Sequence, residues 1–204
     1  MKRYLTLARR ARDENNNENA AKYYDLVLQK NPLIWEASFY QVYYTAMGCK
    51  IIQISSAAYS VANCLNNVFQ LISEHEEEDK QEAACVEVSV RSITIAHILA
   101  NAANSHYNQF SGTDNAKFDR DQRVIAAGQI FQSLLQALQR YYPDNQKLIA
   151  SNAEAEIRFI TGNSSAYKHE WALPRISDLT VLIKKENPEY EPPTFEKSGC
   201  YIAT

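Results

Sequence analysis

Apolar residues recur at helical spacing along most of the chain between Pro32 and Pro143. From residue 51 they step by three and four through Ile51, Ile54, Ala58, Val61, Leu65, Val68 and Ile72. This pattern is typical of a helix that packs lengthwise on its neighbours. The same steps occur in two later segments, at Ala83, Val86, Val90, Ile93 and Ala100, and at Val124, Ala127, Phe131, Leu134, Leu138 and Tyr141. Strand-like alternation is weak, so the pattern predicts an all-α protein built from long antiparallel helices.

Polar segments mark where these helices begin and end. The interruptions are the turn HEEEDK at 75–80, the segment SGTDN at 111–115 and the pair Pro143-Asp144. Each contains residues that favour turns or helix caps. A further helix is predicted over about 145–161 and a last one from Pro174 to Lys185, with Gly162 to Trp171 left unassigned. Residues 187–204 carry prolines and no periodicity, which predicts an extended tail.

The N-terminal residues resemble one tetratricopeptide (TPR) repeat, a helical hairpin with small and aromatic residues at fixed offsets. The positions that carry the resemblance are Tyr4, Leu7, Ala8, Ala11, Ala20, Tyr24 and Pro32. Ala8 and Ala20 would let two helices approach closely, and Asn15 can take the left-handed turn conformation usually given to glycine. We expect Pro32 to start the next helix.

No second repeat follows the first along the chain. A single repeat cannot bury its apolar face alone, so the later helices must cover it. We therefore expect residues 1–34 to form a TPR-like helical hairpin packed on an antiparallel bundle over residues 35–186, followed by the tail over 187–204.

The family resemblance also implies a binding face, because the first helix of a TPR hairpin lines the peptide-binding surface in that family. Here Lys2, Leu5, Arg9 and Arg12 are spaced to share one side of the helix. Such a basic stripe could hold an acidic peptide or a C-terminal carboxylate. The alternative is a solvated basic face without a ligand.

The last five residues, Cys200 to Thr204, resemble the start of the CFI-box, a short bacterial C-terminal signature. With the TPR-like start, this ending is similar to that of a group of bacterial proteins. Members of that group often carry a zinc ribbon before the helices and continue well past the box. This sequence shows neither feature, so we expect it to be part of a longer bacterial protein. The alternative is simply an apolar chain end.

Charge and cysteine content narrow the function classes. The formal net charge is −3 and no segment concentrates lysine or arginine, which argues against binding to duplex nucleic acid. The four cysteines are far apart, as expected for free thiols in a reducing compartment.

The N-terminus lacks an apolar core of signal-peptide length, and no stretch approaches the ~20 apolar residues of a membrane span. We therefore expect a soluble, cytoplasmic protein.

The sequence contains no recognisable catalytic motif, and no glutamate lies three residues before a histidine as di-metal bundles require. The pattern therefore favours a non-enzymatic protein-interaction or scaffold module without a cofactor, whose partner is a protein or peptide. The alternative is a small-molecule or metal-binding bundle. Its site would lie around His97 and Asn104, which the helical pattern places on an apolar face. A hydrogen-bonded core pair is the simpler explanation of these two residues.

Overall fold

The computed structural model describes residues 2–110 and 114–195, with the side chain of residue 114 excepted. Its eight α-helices are α1 (Lys2–Asp13), α2 (Asn17–Leu28), α3 (Trp35–Met47), α4 (Ile54–His75), α5 (Glu78–Gln109), α6 (Asp114–Tyr141), α7 (Gln146–Gly162) and α8 (His169–Lys184). No β-strand occurs in the described part of the chain, so the predicted all-α fold is confirmed. The CFI-box match and most of the SGTDN segment lie outside the described residues.

The N-terminal helical hairpin forms as its residues predict. Asn15 has φ 55°, the left-handed conformation that reverses the chain between α1 and α2. The side chain of Asn16 caps α2 by accepting a hydrogen bond from the Asn19 amide at 3.2 Å. Ala8 and Ala20 are fully buried, as expected where two helices approach closely.

Two helices begin at positions other than those predicted. Helix α3 begins at Trp35 and not at Pro32, because the Asn31 side chain accepts a hydrogen bond from the Leu33 amide at 3.0 Å and holds a turn there. Helix α8 begins at His169 and runs through Pro174. Ala172 in its first turns is fully buried, and Pro174 removes one backbone hydrogen bond of the helix.

The helices pack in an order that follows the chain at both ends. Helices α1 to α4 each contact the next, α6 lies along both α4 and α5, α7 packs on α6, and α8 packs on α7. The predicted apolar stripes of α4 and α6 are buried, apart from their end residues Ile51 and Tyr141. One hydrophobic core runs from Ala8 to Phe195, so the N-terminal hairpin and the bundle share it.

The apolar stripe predicted for α5 is confirmed only in its second half, where Ala100 is buried and Ile93 packs against the core. In its first half Val86 and Val90 are exposed, Val90 by 56%. The buried side carries mostly smaller residues, namely Ala84, Cys85, Val88, Ser89, Ser92, Ile95, Ala96, Leu99, Ala100 and Ala103. Helix α5 thus has two apolar stripes. The stripe with small residues is covered because its short side chains let α4 and α6 each pack close to the α5 backbone.

Helix α5 also corrects the expectation that no segment is apolar enough to span a membrane. By length and composition, Glu78–Gln109 meets the requirement, and half of its most apolar window is buried inside the fold. Core helices of soluble proteins can meet the same requirement.

Helix α6 and the segment before α8 approach closely at one end of the bundle. Gly128 on α6 faces the hydroxyl group of Tyr167, and a Cβ atom at this position would overlap that hydroxyl. The Tyr167 ring is buried and stacks on Trp171 at 5.1 Å between ring centroids. Arg175 of α8 forms a bidentate ion pair with buried Glu156 of α7, with both N–O distances 2.7 Å. These contacts hold α6, α7 and α8 in one register.

We expect Gly128→Ala to lower the free energy of unfolding by about 1–3 kcal/mol, because the new methyl group overpacks against Tyr167. In a Tyr167→Phe background the overlapping hydroxyl is gone. There the same substitution should be neutral or stabilising by up to ~1 kcal/mol, since alanine favours the helix. Urea unfolding of the four proteins measures the coupling, and a Gly128→Ala effect of equal sign in both backgrounds would contradict the contact.

Candidate functional site

Two of the three predicted basic residues of α1, Arg9 and Arg12, are engaged in an ion-pair network with the bundle. Arg9 donates from Nε and Nη2 to the Glu36 carboxylate of α3, at 2.9 and 2.6 Å to Oε2. Arg12 donates from Nη1 to Glu36 Oε1 at 3.1 Å and to Glu87 Oε1 of α5 at 3.3 Å. Both arginines therefore already have carboxylate partners within the fold.

Two tyrosines complete this network. The Tyr24 hydroxyl of α2 donates to Glu36 Oε1 at 2.7 Å, and the Tyr40 hydroxyl of α3 donates to Glu87. The guanidinium carbon of Arg12 lies 5.3 Å from the centre of the Tyr40 ring. The Glu36 side chain is only 6% exposed, whereas that of Arg9 is 54% exposed. The network thus links α1, α2, α3 and α5 around a buried carboxylate.

The contacts of the network raise the pKa values of the groups that donate hydrogen bonds to Glu36. The hydrogen bond to Glu36 raises the pKa of Arg9 above its ordinary value. Burial, reinforced by the Glu36 charge, raises the pKa of Tyr24. Both groups therefore keep their protons across the physiological pH range, and the network stays intact.

These contacts correct one part of the predicted binding face. Arg12 lies in the interior of the network, with a side chain 21% exposed, and Lys2 is exposed on the first turn of α1. Only Leu5 and Arg9 reach a common cleft. The four predicted residues thus do not form one uncompensated basic stripe.

The cleft has a volume of about 320 Å³ and lies where α1, the α2–α3 turn, the start of α3 and the end of α4 meet. Its lining residues are Leu5, Arg9, Asn31, Leu33, Ile34, Trp35, Glu36, His75 and Glu76. Leu33 stands 49% exposed at its edge. The Trp35 indole N–H donates to Glu76 Oε2 at 2.6 Å, which fixes the ring against the wall. The cleft combines apolar side chains with fixed polar groups, as ligand sites do.

Sequence reasoning did not find Glu36, Trp35, Leu33 or Glu76. One signal was available, because Glu36 is the only charged residue in the aromatic run from Trp35 to Tyr44. A charge in such a run needs buried partners. Nothing in the local pattern indicated that the end of α4 would lie beside this turn.

His97 and Asn104 do not form the hydrogen-bonded core pair that was the simpler explanation of these two residues. His97 is exposed, and its ring packs edge-on against Phe131 and Phe159, with centroids 6.0 and 5.3 Å away. Burial of part of the ring lowers the pKa of His97. Asn104 instead donates to the Asn163 side chain at 3.1 Å. The expected apolar placement was wrong because it followed the uncovered stripe of α5.

The described cysteines are free thiols, as predicted. They are Cys49, Cys64 and Cys85, while Cys200 lies outside the described residues. Burial raises the pKa of Cys64 to about 12 and that of Cys85 to about 11, so both are protonated at neutral pH and poor nucleophiles. Within residues 2–110 and 114–195, no group of three or more His, Cys, Asp or Glu side chains is arranged to hold a metal.

We expect Glu36→Gln to lower the free energy of unfolding by about 3 kcal/mol, because it leaves two arginines without their shared buried carboxylate. The matched control is Glu14→Gln, which removes an exposed ion pair with Arg10 at the end of α1 and should leave the free energy of unfolding essentially unchanged. Urea unfolding followed by circular dichroism gives both values. Equal effects of the two substitutions would contradict the central place of Glu36.

No protein-family model, curated protein or solved structure matches this chain.

Proposed function

We propose that this protein is a non-enzymatic protein-interaction module, and that the cleft beside Trp35 binds a peptide segment of a partner protein. The observation that carries the proposal is the gathering of Leu5, Leu33, Ile34 and Trp35 around one open cleft. Apolar and aromatic side chains at a concave surface supply most of the free energy in peptide recognition. Polar groups at the same place orient the ligand.

The surrounding contacts favour binding because they hold the cleft in shape before a ligand arrives. Arg9 is fixed by Glu36, and Trp35 is fixed by Glu76. A preformed site loses less side-chain entropy on association than a mobile one. The ligand therefore needs to order mainly itself and the exposed Leu33 side chain.

The TPR resemblance supports the same region, because Leu5 and Arg9 on the first helix line the cleft. The bacterial origin, the cytoplasmic location and the role as part of a longer protein remain parts of this proposal. For the alternative, a small-molecule or metal-binding site at His97 and Asn104, the geometry offers no comparable support: His97 is exposed and Asn104 bonds to Asn163.

The proposal is tested by placing the photo-crosslinking residue p-benzoylphenylalanine at position 33 and, as the matched control, at position 181. Val181 is exposed by 61% on α8, so it reports non-specific capture. We expect position 33 to give a discrete adduct in source cells that position 181 does not give. Mass spectrometry then identifies the crosslinked peptide.

The identified peptide, made synthetically, should bind the wild-type chain and bind Leu33→Ser about three- to tenfold more weakly. Leu33 is 49% exposed before binding, so about half of the roughly 1.5–3 kcal/mol for complete burial of a leucine is gained on association. Isothermal titration calorimetry measures both affinities, with Val181→Ser as the control. Identical adducts from both positions, or equal affinities for both variants, would refute binding at the cleft.

A further inference from the structure

One wall of the cleft is formed by the acidic turn between α4 and α5. The turn and the helix ends beside it carry five acidic residues, namely Glu74 in α4, Glu76 and Glu77 in the turn, and Glu78 and Asp79 in α5. Two of these charges have a basic neighbour: Lys80 pairs with Glu77 at 2.5 Å, and His75 Nε2 lies 3.8 Å from Glu74. Glu78 and Asp79 lie in the first turn of α5, where the helix dipole stabilises negative charge. Their presence is thus explained by the fold.

Glu76 is different, because it lines the cleft and its known donors are neutral. Its carboxylate accepts hydrogen bonds from the Trp35 indole at 2.6 Å and from the Glu77 amide at 3.1 Å. Neither donor carries a charge, and the nearby cation Lys80, which feels the Glu76 charge, makes its ion pair with Glu77. Glu76 therefore presents a negative charge beside the Trp35 ring.

The basic side of the cleft is compensated within the fold. Arg9 and Arg12 together carry two positive charges, and their partners Glu36 and Glu87 carry two negative charges. An acidic ligand at Arg9 would have to compete with a bidentate bond to a carboxylate that the fold already holds in place. The charge left to select a ligand is that of Glu76.

We propose that the peptide bound in the cleft is an apolar segment carrying lysine or arginine, with the cation against Glu76 and Trp35. This inference rests on the proposed function and reverses the acidic peptide expected from the α1 sequence. A cation at this place gains a charge-assisted hydrogen bond to the carboxylate. Leu5, Leu33 and Ile34 would cover the apolar side chains of the same segment.

The probe is a phage-displayed random heptapeptide library, selected on the whole chain and counter-selected on Leu33→Ser. We expect the peptides that require Leu33 to be enriched in lysine or arginine together with leucine, isoleucine, phenylalanine or tryptophan. The most enriched peptide is then synthesised and its affinity measured for wild type, Glu76→Gln and Asp178→Asn. Glu76→Gln removes the charge and retains one oxygen that can accept the Trp35 hydrogen bond, while the acceptor for the exposed Glu77 amide is lost.

The expected result is binding to Glu76→Gln about three- to tenfold weaker than to wild type, as for a partly exposed ion pair. This difference should shrink at about 0.5 M NaCl because salt screens the pair. Asp178 is an exposed carboxylate on α8, and its substitution should leave the affinity unchanged.

The other outcomes separate the two proposals. Leu33-dependent peptides that carry aspartate or glutamate, or that bind equally well to Glu76→Gln, would overturn the cationic ligand and leave the cleft as a peptide site. If no selected peptide requires Leu33, the peptide site itself is refuted, and the cationic ligand with it.

Discussion

The carboxylate of Glu36 is the group on which the N-terminal half of the fold depends. It is almost fully buried and receives hydrogen bonds from Arg9, Arg12 and Tyr24. A buried charge is stable only if each of its partners stays in place. The position of α1 and α2 against α3 is therefore set by a polar contact in an aromatic surrounding, where Tyr24 stacks on Tyr40 at 5.2 Å between centroids.

The pairing of Glu36 with the two arginines also determines the charge of the neighbouring cleft. Because Glu36 engages both arginines, the positive charges of Arg9 and Arg12 at the predicted binding face are already compensated within the fold. Beside Arg9, the cleft is lined by apolar side chains and by the carboxylate of Glu76. The same contact that joins the hairpin to the bundle thus moves the expected ligand from an acidic to a basic segment.

The bundle half depends on close packing more than on charge. Small residues on the buried stripe of α5 let α4 and α6 each pack close to α5. Gly128 in α6 leaves room for the Tyr167 hydroxyl. The apolar stripe of α5 that includes Val86 and Val90 is left uncovered as a result. His97 lies beside this open stripe and packs on two phenylalanine rings at its edge.

The sequence by itself determined the helical class, most helix bounds, the stripes of α4 and α6, and the left-handed turn at Asn15. These features follow from local spacing and from backbone preferences, which act within a few residues. It did not determine which of the two stripes on α5 is buried, because both have helical spacing and only contact with other helices distinguishes them. Nor did it pair Arg9 with Glu36 or bring Glu76 beside Trp35, since these partners are distant in the chain and meet only when the helices pack. Of the four α1 residues predicted to form a binding face, the packing therefore places only Leu5 and Arg9 in the cleft, and it pairs Arg9 with a carboxylate of the fold.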